Sequence, residues 1–461
     1  MPTVLNPPTT VTGTLRHLGP GVIIAGAIVG SGELFATTGT GAKAGVGLLW
    51  LILVGCVVKV FVQVELGRAA VATGRTTLDL LNAVPGPRVP VARGRTANWV
   101  LALWAAMMVT QLGQMGGLAG GVGQALQLAV PLGDRGPVLY AAAAGVLTAG
   151  LLWGGRYRSI QTLSAVLVAA FTVLTVGNAV ALQMTEAFAL PAADLTAALN
   201  PLNDLLIGDD TVFLALAAFG LIGVGATELV AYPYWCLEKG YAAFAGPAPP
   251  AGDPARPAWA GRARGWMRVM RWDAAAALLV YTASTVAFYL VGAAVLHPAG
   301  LVPAGAETIE VLRAAYVPVF GAAAGWLFVG GAVAVLFSTL LIAVASNARM
   351  FADGARVAGL LPDSEESYRG WVRGLSAALP AVSVGTFAFV SADPVLLVVV
   401  GGVAQSLLLP VLGLSALWMR FRLAPPELRP GPVWTSALLL SVLALAVAGA
   451  FGLWRAVLAG A

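Results

Sequence analysis

The sequence predicts an all-α, polytopic membrane protein with about eleven transmembrane helices. Three observations predict it: a composition that no water-soluble core accommodates, a series of apolar runs each long enough to cross a bilayer, and a lopsided distribution of arginine. Of 461 residues, 59% are hydrophobic and 10% charged, with a mean hydropathy of +0.86. Soluble domains carry about a quarter charged residues. A hydrocarbon core requires about 20 apolar residues per helix. Such runs fall at 19–43, 46–70, 97–130, 137–154, 159–184, 211–238, 271–296, 317–348, 374–392, 394–418 and 433–458, and are numbered here as spans one to eleven. Pro380 and Gly385 make the ninth the weakest.

The arginines test that count, because cytoplasmic loops collect positive charge. With the N-terminus in the cytoplasm, the inner segments hold twenty: Arg16, five from Arg68 to Arg95, Arg156 and Arg158, five from Arg256 to Arg271, Arg349, Arg356, Arg369 and Arg373, and Arg420, Arg422 and Arg429. The outer side keeps Arg135, Arg313 and Arg455. The C-terminus is therefore expected outside. The Ala, Gly, Val and Leu bias is that of a GC-rich bacterial genome, which places the chain in a bacterial inner membrane. The N-terminus lacks the basic stretch and short apolar run of a cleaved signal. Residues 239–270, rich in Pro, Gly, Ala and Arg, are expected to form a flexible cytoplasmic loop near anionic headgroups.

Other functional classes find little support. The net charge of +5 comes with no dense basic tract, so no nucleic-acid partner is implied. Cys56 and Cys236 lie in apolar segments and imply neither disulfide nor zinc. An enzyme needs a nucleophile with its base or a metal motif, and the only histidines are His17 and His297. No catalytic residue and no cofactor is expected.

Span one reads GPGVIIAGAIVGSGELFATTG, with two glycines, a serine and Glu33 at its middle. Each glycine weakens a helix by about 1 kcal/mol relative to alanine. Irregular backbone at membrane depth is tolerated only inside protein or beside a water-filled cavity. An intramembrane carboxylate is functional by default. Span six repeats the pattern: Gly223 and Gly225, then Glu228, then Pro233. Two interrupted helices five spans apart point to a transporter of inverted repeats with its substrate at the midplane.

These stretches resemble the Nramp (natural resistance-associated macrophage protein) transporters. GPGVIIAGAIVGSGELFATTGTGAKAGVGLLW is similar to their first span, with its D-P-G-N break. ATGRTTLDLLN (72–82) resembles the segment after span two, and MVTQLGQMGG (108–117) part of span three. GATELVAYPYWCLEKG resembles the G-A-T-V-M-P-H-N stretch of span six, and FSTLLIAVASNARMFADG (337–354) span eight. The resemblance implies a single LeuT-like domain over 1–461, with inverted repeats at about 19–184 and 211–418 and an extra helix at 433–458. In that alignment the family's metal-binding Asp falls on Gly30, its Pro on Ser31 and its Asn on Glu33. Its Met and His fall on Tyr232 and Tyr234, its span-three acids on Gln111 and Gln114, and its span-ten ligand on Gly402 beside Gln405.

The departures shape the chemistry. Glu33 and Glu228 are expected to converge with Ser31, Thr227, Gln405 and released carbonyls on one all-oxygen site. Such a site suits Mg²⁺ or Mn²⁺ as transported substrate better than softer metals. This resembles the magnesium-transporting branch of the Nramp relatives. The alternative is a small organic substrate, an amine or amino acid, against an aromatic wall of Tyr232, Tyr234 and Trp235. Gln111 and Gln114 cannot titrate, so the family's proton route is expected to be missing; Glu33 or Glu228 as proton carrier is the other reading. Lys59, mid-span two, either pairs with a carboxylate or serves as a tethered cation. Asn347 and Ser346 either line the exit path or hold helices together. Alternating access is expected, with spans one, two, six and seven rocking against the rest.

Overall fold

The computed structural model describes residues 4–153, 157–200 and 209–459; Arg156 lies outside them. The apolar runs are helices, and eight of the eleven follow the expected bounds to within a few residues; span seven starts at Arg256 rather than 271, span eight is shifted from 317–348 to Ala324–Val357, and span nine from 374–392 to Glu365–Phe389. Span one covers Pro20–Ala44 and span two Leu49–Thr73. Span three covers Trp99–Ala129, span four Gly136–Trp153 and span five Tyr157–Gln183. Span six is two helices, Asp209–Leu221 and Ala226–Lys239. Spans seven to ten cover Arg256–Leu296, Ala324–Val357, Glu365–Phe389 and Pro394–Arg422, and span eleven Pro432–Ala459. The ninth runs unbroken through Pro380 and Gly385. Outward faces carry exposed apolar side chains such as Leu279, Phe389 and Leu440, as lipid contact demands.

Among the described residues ten helices are long and apolar enough to cross a membrane. Span three, 31 residues long, is not one of them. Gln111, Gln114, Gln124 and a run of glycines dilute its hydropathy, and residues 114–125 are buried throughout. It packs against spans four, eight, nine and ten. That enclosed half has no need to match lipid, whereas Leu103 and Val109 in the first half of the helix are exposed.

The segment 239–270 differs from expectation. It is helical from Arg256 onward, continuous with span seven, and a short helix covers Tyr241–Ala245. Trp259 and Trp266 are buried there, and the Trp266 indole donates to Leu5 O at 3.0 Å. Two buried tryptophans within a Pro- and Arg-rich stretch outweigh the loop-like composition.

Spans one, two, six and seven pack together, and spans three, four, eight, nine and ten form a second group. Span five lies against seven, eight and the first half of one, and span eleven against ten and two. The two groups meet most closely where the first half of span six crosses span ten. A Cβ on Gly220 would run into the Gly402 carbonyl, and one on Gly402 would press on Ala217 O. Gly402, where the resemblance placed a ligand, instead lets two backbones touch.

The N-terminal segment and the loops after spans two, six, eight and ten gather on one face. Arg95 reaches Asp363 at 2.5 Å, Arg356 reaches Asp79 at 2.6 Å and Arg256 reaches Glu427 at 2.8 Å, while Tyr241 donates to His17 O at 2.8 Å. These segments are separated by even numbers of crossings, so their meeting agrees with the span count. On the opposite face His297 Nδ1 lies 2.9 Å from Ala42 O.

Hydrogen bonds from Arg95 and Arg356 hold the exposed Asp363 carboxyl below the usual carboxylate range. A carboxyl depressed in the folded state adds stability above its unfolded pKa of about 4 and gives it up as pH falls through the lower folded value. Asp363→Asn should therefore flatten the acid limb of a melting-temperature profile recorded between about pH 5 and 3. Limbs that superimpose on the wild type would remove Asp363 from the network's energetics.

Candidate functional site

Both predicted breaks are present, and each is shaped by its own residues. Span one runs as an α-helix over Pro20–Ile28, turns at Val29 and Gly30, and resumes as a wide π-helical turn, Gly32–Thr37, before Thr38–Ala44. Threonine hydroxyls hold the wide turn open by taking carbonyls five residues back: Thr37 to Gly32 O at 3.3 Å and Thr38 to Glu33 O at 3.1 Å. Gly30 backs onto Thr339 of span eight, whose hydroxyl donates to Gly26 O at 3.2 Å and so serves a carbonyl freed by the break.

Span six breaks at 222–225. Gly223 sits at φ +59°, left-handed territory open to glycine at little cost. The chain restarts at Ala226 and passes through Pro233 as regular helix, so Gly223 and Gly225 make the break and Pro233 does not. Gln405 of span ten accepts from Thr227 N at 3.0 Å and donates to Gln114 Oε1 at 3.1 Å. It thereby caps the second half-helix and ties it to span three. The Glu228 carboxylate folds back over the same helix start, toward the N–H groups of Gly225 and Glu228 itself. Lys59 of span two, fully buried, donates to the carbonyls of Phe219 and Ile222 at the end of the first half-helix.

A small enclosed cavity of about 20 Å³ lies beside this restart. Glu228, Thr227, Gln111, Gln114, Met115 and Asn347 are among the residues on its wall, with Ile24 and Ala27 of span one. Thr227 Oγ1, Asn347 Oδ1 and Gln111 Nε2 are buried and make no hydrogen bond within the protein. Buried polar atoms are rarely left without a partner unless an ion or water completes them. The volume holds one such occupant.

Ser346 is on the wall too, and the remaining residues singled out from the sequence fall around this cavity rather than on it. Glu33, fully buried, turns away: its Oε1 lies 3.0 Å from the Thr285 hydroxyl of span seven, and its Oε2 accepts from Gly30 N at 3.3 Å. The expected pair of carboxylates on one wall is thus not formed. Glu33, Glu228 and Lys59 nevertheless lie within electrostatic reach of one another. Ser31 Oγ is buried without a hydrogen bond at the first break. The aromatic wall also fails to assemble, because residues two apart on a helix point about 200° apart. Tyr232 bonds Met270 O and Asp273 toward span seven, whereas Tyr234 donates to Asp353 Oδ2 at 2.5 Å on span eight. Trp235 donates to Ser346 Oγ at 3.1 Å.

Sequence reasoning missed Met115, Thr285 and Thr339. Met115 puts a thioether on the cavity wall, although Asn347 Nδ2 approaches its sulfur at 3.3 Å. A Ser-Thr pair inside the apolar run of span eight was the available signal for Thr339. A vestibule of about 1060 Å³ opens on the arginine-rich face, lined by Tyr234, Glu238, Arg349, Asp353, Arg356 and Asp79 among others. One helical turn separates its floor from the cavity. There Arg349 grips Glu238 at 2.5 and 3.1 Å and lies over the Trp235 ring, 4.4 Å from its centroid.

Comparison with known proteins places this arrangement. The model of a family described as natural resistance-associated macrophage protein-like matches residues 21–455. The divalent metal cation transporter MntH of Mycobacterium tuberculosis is 28% identical over 400 residues, covering 85% of this chain and 80% of that protein. A manganese transporter from Eremococcus coleocola superposes with a TM-score of 0.61 at 13% identity, over 97% of this chain and 88% of the other. MhsT, solved with L-phenylalanine, gives 0.59 at 13% identity over 98% and 99%. The architecture is LeuT-like.

Gln405→Ala would leave Thr227 N and Gln114 Oε1 without their buried partner, at about 1–3 kcal/mol. Purified protein carrying it should melt measurably lower than wild type. A coincident melt would rule out the capping role.

Proposed function

The chain belongs to the natural resistance-associated macrophage protein-like (Nramp) family, whose members are membrane transporters and not enzymes, and from that premise we propose that its cargo is a divalent metal cation, Mg²⁺ or Mn²⁺ ahead of softer metals. The observation that carries this reading is the cavity of about 20 Å³ at the restart of span six. It has room for one ion, an ionisable oxygen ligand in Glu228, and unpartnered oxygens on Thr227 and Asn347. Such hard donors suit Mg²⁺ and Mn²⁺. The relatives bearing divalent-metal and manganese names support the same class of cargo.

Within this reading Glu33 contributes negative charge from behind the first break without facing the ion. Gln111 and Gln114 stand where the family's proton acids are expected, so the membrane potential suffices as driving force. Spans one to five (19–184) and six to ten (211–418) are the inverted halves, with 433–458 added. The N-terminus and the arginine-rich face are cytoplasmic and the C-terminus is outside, in a bacterial inner membrane. Alternating access joins the cavity to the vestibule when the turn held by Arg349 and Glu238 releases. Against an amine or amino acid, the tyrosines that would line its pocket point to opposite sides of their helix, and the cavity of about 20 Å³ has room for little more than one ion or water.

Uptake into liposomes tests the proposal. Glu228→Gln should cut saturable Mg²⁺ and Mn²⁺ uptake by at least about tenfold, a loss of about 1.4 kcal/mol of binding or more, and Glu33→Gln by less. A pH dye inside the vesicles should stay silent during uptake. Full metal uptake by Glu228→Gln, or saturable amine uptake that ignores divalent metals, would sink it.

A further inference from the structure

The Lys59 ammonium rests on two backbone carbonyls at the end of a half-helix rather than beside a carboxylate. It is fully buried, hydrogen-bonded to Phe219 O and, at 2.6 Å, to Ile222 O, and lies 4.7 Å from the centroid of the Phe219 ring. Glu33 and Glu228 are within electrostatic reach, yet among the described residues neither forms an ion pair with it. A helix leaves its last four carbonyls without intrahelical partners, and the negative end of its dipole gathers there. In broken-helix transporters such ends and the unwound carbonyls beside them are what small cations bind. Two carbonyl oxygens, an aromatic face and a helix C-terminus together make a seat for one monovalent cation, which an anion or a neutral apolar group would leave unsatisfied.

We propose that this seat is a monovalent-cation site which the protein fills with its own Lys59 ammonium, so that the charge a free ion would supply at the break of span six is covalently attached. The break then stays shut and neutralised in any salt. Removing the side chain should uncover a site for ammonium, methylammonium or an alkali cation, beside Phe219 and Ile222. This goes beyond the divalent-cargo reading and does not depend on it: the measurement below uses no divalent metal and no transport.

The full chain, purified in detergent, is melted in choline chloride and then in sodium, potassium, ammonium and methylammonium chloride. Wild type should melt at one temperature in all five. Lys59→Ala should melt lower in choline and recover saturably in methylammonium or ammonium, by about 3 °C or more. Lys59→Ser, which places a hydroxyl oxygen beside the two carbonyls, should respond to sodium as well. The proposal is overturned if both variants are as indifferent to the cation as wild type, or if their melting falls and no cation raises it. It is overturned equally if neither variant is recovered from membranes with methylammonium present throughout purification.

Discussion

A backbone interrupted twice inside a low-dielectric bundle is the constraint on which the rest of this structure depends. Each break frees carbonyls and N–H groups that cost several kcal/mol apiece if buried without partners. The neighbouring spans answer with polar side chains placed at those groups. Thr339 serves Gly26 O, Lys59 serves Phe219 O and Ile222 O, and Gln405 serves Thr227 N. The charges follow the helix dipoles. A cation sits at the closing end of one half of span six, and the Glu228 carboxylate at the opening end of the other.

That arrangement also decides where the cavity lies. Glycine contacts at 220 and 402 bring span ten close enough for Gln405 to reach the restart. Gln405 in turn fixes Gln114, and span three brings Gln111 and Met115 to the same wall. Polar residues on span three are affordable because its inner stretch never meets lipid. One side of the cavity is made by the two broken spans and the other by spans three and eight, which belong to the second packed group. Relative movement of the groups therefore acts directly on the cavity's walls.

Much of this was legible in the sequence. Apolar run lengths and arginine placement predict the spans, and Gly-rich interruptions beside a glutamate predict both breaks and put Glu228 at the second of them. Properties that depend on helix rotation were not legible. Glu33 was expected beside Glu228, but the wide turn at Gly32–Thr37 turns it toward Thr285. The alternative reading, an organic substrate, needs Tyr232 and Tyr234 on one wall, which the unbroken helix through Pro233 prevents. Residues 239–270 carried loop-like composition and are mostly helix, because Trp259 and Trp266 have a buried face to fill. Lys59 left two readings open, since sequence gives its depth and not its partner.

The wide turn of span one has a geometric consequence. A π-helical turn holds about one residue more than an α-turn. Redrawn as regular α-helix, it would carry everything on one side of it through about 100° and 1.5 Å relative to the other. The hydroxyls of Thr37 and Thr38 keep that extra residue in place through bonds that sever no other helix. The segment is in effect a measured length of slack, stored beside Glu33 in an otherwise tightly packed wall.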